Sequence, residues 1–122
     1  LVSAASFADV GLVPYPGPCL NHLYACPNKL SQYLQAGLAI VCNADLEFVS
    51  EIVKREQCGF TYRASDPDTF IEAAKYLVGN PELLQKMKNR AYQYAFSEFN
   101  WQKQSAPYKD AIVELSQECQ RI

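Results

Sequence analysis

The fold is decided by one stretch of the chain, PNKLSQYLQAGLAIVC at residues 27–42. Leu30, Tyr33 and Leu34 recur at the spacing of one helical face, and the glycine that follows is suited to ending the helix. The next five residues, 38–42, form an unbroken apolar run, which is typical of a strand buried on both faces of a parallel sheet. The stretch therefore predicts a helix that leads directly into a central strand.

Two further strands and a second crossover helix are predicted on either side of this unit. Residues 10–14 are nearly all apolar and end at a cluster of prolines, and residues 59–62 form a third, weaker strand. Between the strands, residues 46–53 carry apolar side chains on one helical face. The order strand, helix, strand, helix, strand predicts right-handed crossovers and a small parallel sheet, whose outer strands would present unpaired edges.

The C-terminal half is predicted to be helical throughout. The pairs Asp66–Pro67 and Asn80–Pro81 each combine a capping residue with a proline at the first helical position. A last helix is predicted over residues 101–119, with Pro107 either kinking it or marking its true start. The aromatic residues of this tail recur at a sequence spacing that suits packing, and they are expected in the core. They are Tyr94, Phe96, Phe99, Trp101 and Tyr108. The fold class is therefore α/β, a partial Rossmann-like domain in which helices flank a short parallel sheet and a helical tail follows.

Composition excludes several classes of function. The chain has 122 residues, of which 49% are hydrophobic and 20% charged, and its formal net charge is -2. No basic stripe is available for the phosphates of a nucleic acid, so that partner is not expected. No apolar run approaches the roughly 20 residues that a membrane span needs. The composition predicts an ordinary globular domain.

The cysteines are odd in number and widely spaced, and the chain has one histidine. No CxxC pair or Cys/His set with zinc-ligand spacing is present in the sequence. Free thiols in a reducing compartment are therefore predicted, which favours the cytoplasm.

Two stretches of the chain resemble motifs of one enzyme family. Residues 8–14, ADVGLVP, resemble the strand motif "ADV-x-L-x-P", and residues 27–41 resemble the segment "P-x-K-L-x-E-Y-x-A-A-G-x-P-V-V". By these motifs, the chain resembles the group 1 (family 4) glycosyltransferases. Further matches in the family's order follow at residues 51–53, 58–60, 66–68 and 96–101. The resemblance implies that residues 1–122 are the C-terminal part of the nucleotide-sugar-binding domain of a GT-B enzyme. The N-terminal acceptor domain and the first strands would then lie outside this sequence.

By the same resemblance, the full-length protein would be a retaining, metal-independent glycosyltransferase of the hexosyltransferase type. It would use a nucleoside-diphosphate sugar as donor substrate, without a further cofactor, in polysaccharide or glycolipid synthesis. The expected partners are that donor and the N-terminal domain of the same protein, with a homo-oligomer of the chain as a further association. The expected location is cytoplasmic, either free or peripheral to the membrane. This chain alone is expected to be inactive, because the site of such an enzyme lies between two domains. The last helix of such an enzyme also reaches back to the N-terminal domain, so some of the tail aromatics could be exposed in this chain.

Candidate binding residues cluster around the start of the helix that follows Pro27. Open α/β sheets bind ligands at the carboxyl ends of their strands, and free amides at a helix N-terminus suit a diphosphate. Asn28 and Lys29 lie in the first turn of this helix, where the lysine would add a positive charge. Asn21 and Tyr24 belong to the segment 17–26, just beyond the first strand, where the sugar or the base would be met.

The resemblance also identifies where this sequence departs from its family. The two glutamates that contact the donor sugar and the ribose in relatives fall at Tyr24 and Gln32. A glutamine amide still bonds a hydroxyl group, but it accepts a hydrogen bond less strongly than a carboxylate does. Gln32 is therefore a candidate ribose contact of reduced strength.

No catalytic residue and no metal ligand is assigned from the sequence. His22 lacks an identifiable carboxylate partner and is interpreted as a surface-loop histidine rather than a general base. Two alternative functions stay open. In the first, the chain is a non-catalytic α/β module that binds a nucleotide or a protein. In the second, it is part of a GT-B sugar-nucleotide epimerase.

Overall fold

The computed structural model describes residues 2–16 and 19–120. The strands are β1 (Val10–Val13), β2 (Ala39–Asn43) and β3 (Gly59–Tyr62). The helices are α1 (Val2–Ala5), α2 (Leu20–Tyr24), α3 (Asn28–Gln35), α4 (Glu47–Arg55), α5 (Pro67–Gly79), α6 (Pro81–Ser97), α7 (Trp101–Gln104) and α8 (Ala106–Gln120).

The three strands form one parallel sheet in the order β1-β2-β3. Val10 lies opposite Ala39, and Ile40 lies opposite Gly59. Every residue of β2 is buried, because this strand is central and is covered on both faces. The predicted α/β class, with a short parallel sheet, flanking helices and a helical tail, is therefore confirmed.

The two faces of the sheet are covered by different helices. On one face, α3 and α4 bury Leu30, Leu34 and Val49 against the β2 residues Ile40 and Cys42. The opposite face of the sheet packs against α5 and the first half of α6, which contribute buried Leu77 and Met87. Apolar burial on this scale, worth roughly 1.5–3 kcal/mol for each large side chain, holds the layers together.

Helix α6 crosses beneath the amino ends of the strands. The Lys88 Nζ atom donates to Asp9 Oδ1 at 2.8 Å just before β1, and an Arg90 nitrogen donates to Gln57 Oε1 at 2.9 Å just before β3. The Tyr92 side chain packs beside Gly37, which precedes β2 and has a φ of 68°. That positive φ suits glycine, as predicted for a helix terminator. Because α6 closes this edge, the carboxyl edge is the one left for a ligand.

Several expectations from the sequence are wrong in detail. The helices α1 and α2 were not expected, because four or five residues are too few to show a helical period. Only β2 is buried on both faces: β1 alternates between exposed and buried positions, and β3 is half-buried throughout. Both are outer strands, and each has one neighbouring strand among the described residues, so both are less enclosed than β2.

The tail aromatics are the clearest correction. Tyr94 and Phe99 do pack on the core, with their rings stacked 5.6 Å apart. Phe96, Trp101 and Tyr108 are 79%, 71% and 70% exposed. These three residues lie on α6, α7 and α8, and the described part of the chain leaves their side chains largely uncovered.

The two Asp/Asn–Pro pairs predict the starts of α5 and α6 correctly, but the predicted capping hydrogen bonds do not form. Pro67 and Pro81 begin α5 and α6, but neither capping side chain bonds the helix amides. Asp66 instead accepts from the Arg63 guanidinium at 2.9 Å, and the Asn80 amide donates to the Tyr76 carbonyl at 2.7 Å. The last helix is interrupted after α7, and α8 resumes at Ala106, just before Pro107.

All five cysteines carry free thiols, and Cys42 and Cys58 are buried. Burial raises the pKa of the Cys42 thiol to about 12 and that of the Cys58 thiol to about 11, from an ordinary value of 9.0. Both groups are therefore neutral in the folded chain at physiological pH. In the described part of the chain, no helix is both long enough and apolar enough to cross a bilayer.

These two thiols predict a loss of stability in alkali. Above pH 9.0 the unfolded chain releases the thiol protons, while the folded chain holds them until about pH 11. The unfolded state is then favoured, so the free energy of unfolding should fall as the pH rises from 9 towards 11. Urea titrations at a series of pH values measure this. The Cys42→Ala, Cys58→Ala double variant should show a shallower decline, and an equally steep decline would contradict the assignment.

Candidate functional site

A buried asparagine organises the carboxyl edge of the sheet. Asn43, the last residue of β2, is fully buried. Its Nδ2 atom donates to the Tyr15 carbonyl at 3.1 Å, and its Oδ1 atom accepts from the Asp45 amide at 3.2 Å. One side chain thus joins the segment that leaves β1 to the segment that leaves β2, and it fixes the spacing of the two exits.

The start of α3 lies at this edge, because α3 runs back along the sheet from the carboxyl end of β1 to the amino end of β2. Pro27 is the residue before the helix, and no side chain caps it. The Leu30 amide donates to the Pro27 carbonyl at 2.9 Å. The hydrogen bonds found among the described residues include none from the amides of Asn28 or Lys29. These two N–H groups are therefore available to a ligand.

Close packing holds α3 against β1. The Tyr33 ring lies over Gly11, so close that a Cβ atom at that glycine would be 2.4 Å from the ring. Only a residue without a side chain allows this approach. The contact sets the position of the helix and therefore of its first turn.

The Lys29 ammonium has an aromatic neighbour. Its Nζ atom lies 5.5 Å from the centre of the Tyr15 ring, the distance of a cation–π contact. Such a contact at an exposed site is worth about 0.5–1 kcal/mol. Because Asn43 holds the backbone of Tyr15, the lysine charge is kept near the first turn of α3 by residues from two strand exits.

The space directly beside this turn is small. A cavity of about 80 Å³ is lined by Tyr15, His22, Ala25, Pro27, Leu46 and Val49. The rings of Tyr15 and His22, whose centres lie 6.2 Å apart, form part of the cavity wall. A diphosphate is too large for a cavity of this size, so it would lie against the exposed side of Asn28 and Lys29.

His22 is not a loop residue, which corrects the interpretation from the sequence. It lies on α2 and is half-buried. Its Nδ1 atom is buried and has no hydrogen-bond partner among the described residues. A buried polar atom without a partner costs free energy, so this nitrogen is a ready donor or acceptor at the edge of the cavity.

The other predicted contacts are distributed over α2 and α3. Asn21 and Tyr24 are on α2 rather than in a loop, and both are exposed. Gln32 lies one turn beyond Asn28 on α3 and is half-buried. The hydrogen bonds and ion pairs found among the described residues involve none of the five candidate side chains, which are therefore available to a ligand. Gly17 and Pro18, in the same segment, lie outside the described residues.

Two residues that matter at this edge were missed from the sequence. Asn43 follows directly after an apolar run, and a polar residue at that point is a visible signal for the end of a buried strand. Tyr15 lies in a proline cluster that predicts only a turn. Its role depends on Lys29 and Asn43, which are distant in sequence, so local pattern gives no sign of it.

A second opening lies at the carboxyl end of β3. It measures about 610 Å³ and lies between β3 and α5. Its one cation, Arg63, is paired with Asp66, and Glu72 adds a negative charge. An anion is therefore better received at the first turn of α3 than here.

No group of three or more His, Cys, Asp or Glu residues in the described part of the chain is arranged to hold a metal ion. Comparisons of the chain with known protein families, with curated proteins and with solved structures found no match. The class that the fold defines is a small α/β domain with a three-stranded parallel sheet.

Proposed function

We propose that the chain is part of the nucleotide-sugar-binding domain of a glycosyltransferase, and that the first turn of α3 contacts the diphosphate of the donor. This proposal rests on the backbone amides of Asn28 and Lys29, which have no hydrogen-bond partner among the described residues. They lie at the carboxyl edge of a parallel sheet, where α/β domains bind ligands. Such amides favour a phosphate, and the adjacent lysine charge adds to this preference.

The roles proposed for the remaining candidates follow from the elements on which they lie. Gln32 is one helical turn away, which suits a contact from its amide to a ribose hydroxyl. Tyr24 and Asn21 project from α2 and would meet the sugar or the base. In the full-length enzyme, a second domain would close over this edge, exclude water and supply the acceptor. Positive charge and amides aimed at the diphosphate would then stabilise it as it leaves.

Affinity is expected to be weak in this chain alone, because the donor would lie on an open surface. A dissociation constant on the order of 1 mM corresponds to about 4 kcal/mol, which a few charge-assisted hydrogen bonds supply. Isothermal titration with uridine diphosphate and guanosine diphosphate tests this. We expect Lys29→Ala to weaken binding about tenfold and Gln32→Ala to weaken it a few-fold.

A matched control is Lys75→Ala. This lysine is also exposed, but it lies on α5, on the opposite face of the sheet. Removing it lowers the total charge by the same amount and should leave the affinity unchanged. Equal affinities for the original chain, Lys29→Ala and Gln32→Ala would contradict the proposed site.

The alternative is a non-catalytic α/β module that binds a protein partner. Two observations favour it: Gln32 stands where the resemblance expects a glutamate, and the cavity beside α3 measures only about 80 Å³. Failure of both nucleotides to bind at millimolar concentration would support this alternative over the transferase.

A further inference from the structure

An aromatic groove lies at the other end of α3, away from the first turn. It measures about 630 Å³ and is formed where α3 ends, α6 passes and α7 begins. We call it the tryptophan groove and define it by the residues Gln35, Tyr92, Phe96, Asn100, Trp101 and Gln102.

The aromatic side chains of the groove are open to solvent. Tyr92 is 55% exposed, Phe96 is 79% exposed and Trp101 is 71% exposed. Tyr92 and Phe96 are four residues apart on α6, so they lie on one face of that helix. Three large aromatic side chains that are side by side and uncovered mark a binding surface, because leaving them in water costs free energy.

The shape of the groove is fixed by hydrogen bonds from the Asn100 side chain to the backbone. The Asn100 Nδ2 atom donates to the Phe96 carbonyl at 2.9 Å, and its Oδ1 atom accepts from the Lys103 amide at 2.9 Å. This side chain fixes the turn between α6 and α7 and therefore the position of Trp101. At the other side, Tyr92 packs beside Gly37. The aromatic side chains are thus attached to a fixed frame.

The lining is uncharged. None of the lining residues is acidic or basic, and the nearby Lys103 ammonium is paired with Glu98. The other hydrogen-bonding groups are the Tyr92 hydroxyl and the side-chain amides of Gln102 and Gln35, of which the Gln35 Nε2 atom also donates to Ser31 Oγ at 3.1 Å. A nucleic acid or an anionic membrane would require cations here. The lining combines three aromatic side chains with three side-chain amides, and Ala95 is its only aliphatic residue, so it offers little continuous apolar surface for the face of an amphipathic helix.

From this combination we infer that the tryptophan groove binds a neutral oligosaccharide. A pyranose ring has an apolar face of C–H groups, which stacks on an aromatic side chain, and a rim of hydroxyl groups, which bond neutral amides. The groove offers both kinds of surface without charge. The site does not depend on the proposed diphosphate contact, because the two lie at opposite ends of an eight-residue helix.

Trp101 is the only tryptophan of the chain, so tryptophan fluorescence reports on the surroundings of this residue, and the variants below separate the groove from other surfaces near it. The probes are maltohexaose, cellohexaose and the hexamer of N-acetylglucosamine, which differ in linkage and substituent. We expect at least one of them to change the emission in a saturable way at micromolar to millimolar concentration. No saturable change with any of the three would overturn the inference.

Variants establish whether the binding occurs in the groove. Phe96→Ala and Tyr92→Ala should each weaken the binding about tenfold, through loss of stacking area. Tyr108→Ala removes an aromatic residue of similar exposure on α8, outside the groove, and should leave the affinity unchanged. Both groove residues are exposed, so thermal unfolding should be nearly unchanged.

Two results would reassign the surface. Equal affinity in Phe96→Ala, Tyr92→Ala and the original chain would contradict a carbohydrate site in this groove. Sedimentation that shows self-association, lost in Phe96→Ala, together with no response to the saccharides, would assign the groove to a second copy of the chain instead.

Discussion

Replacing Gly59 with alanine is expected to lower the free energy of unfolding by about 3 kcal/mol or more. A Cβ atom at this position would lie 1.7 Å from the Ile40 carbonyl oxygen and 2.6 Å from its carbon. Both atoms belong to the backbone of β2, the central strand, which cannot shift without disturbing its pairing with β1 and β3. The obstacle is therefore not a side chain that can rotate away.

Gly79→Ala is the matched control for this substitution. Gly79 ends α5, and an added Cβ atom there would meet nothing within 4 Å. This variant should lie within about 0.5 kcal/mol of the original chain or be slightly more stable, since alanine restricts the unfolded state. Urea unfolding followed by circular dichroism compares the two. Equal midpoints would show that Gly59 does not approach β2 this closely.

Replacing Asn43 with alanine is expected to cost about 2–3 kcal/mol. The Tyr15 carbonyl and the Asp45 amide would both lose their partner at a fully buried position. Asn80→Ala is the control, because that side chain also donates to a backbone carbonyl but at a site where water can replace it. We expect the control to lose about 1 kcal/mol or less. Similar losses in the two variants would contradict a special role for Asn43.

A second variant at this position has a readout in pH. Asn43→Asp keeps the acceptor for the Asp45 amide but places a carboxylate against the Tyr15 carbonyl. Burial would raise the pKa of that carboxyl group, and only its protonated form can donate to the carbonyl. The variant should therefore become more stable relative to the original chain as the pH falls from 7 towards 4. An unchanged difference across this range would argue against the buried contact.

The sheet and its crossover helices could be predicted because their signals are local. The helical period of Leu30 and Leu34, the terminating glycine and the apolar run into β2 occur within sixteen consecutive residues. Each signal points to the same element, and the structure confirms the helix and the strand with shifts of one residue at their ends. Pro67 and Pro81 likewise begin helices, since a proline at the first helical position loses no hydrogen bond.

The tail could not be predicted to the same depth, because a helical period shows which residues share a face and not what covers that face. Trp101 and Phe96 have the spacing of core residues and are exposed all the same. The candidate site is similar: the sequence predicts where α3 begins, but the contact between Lys29 and Tyr15 and the size of the cavity depend on tertiary packing. His22 was assigned to a loop because the five-residue helix α2 is too short to show a helical period.

The central claim, that the first turn of α3 receives a diphosphate, is tested most directly by nitrogen-15 NMR of the chain titrated with uridine diphosphate and guanosine diphosphate. For at least one of them, the amide signals of Asn28 and Lys29 should move together and saturate, with smaller shifts at Gln32 and none at Lys75 on the opposite face. Inorganic phosphate at the same concentration should move the same two amides less. Saturable shifts confined to residues of α5 or α6, or none from either nucleotide, would contradict the account.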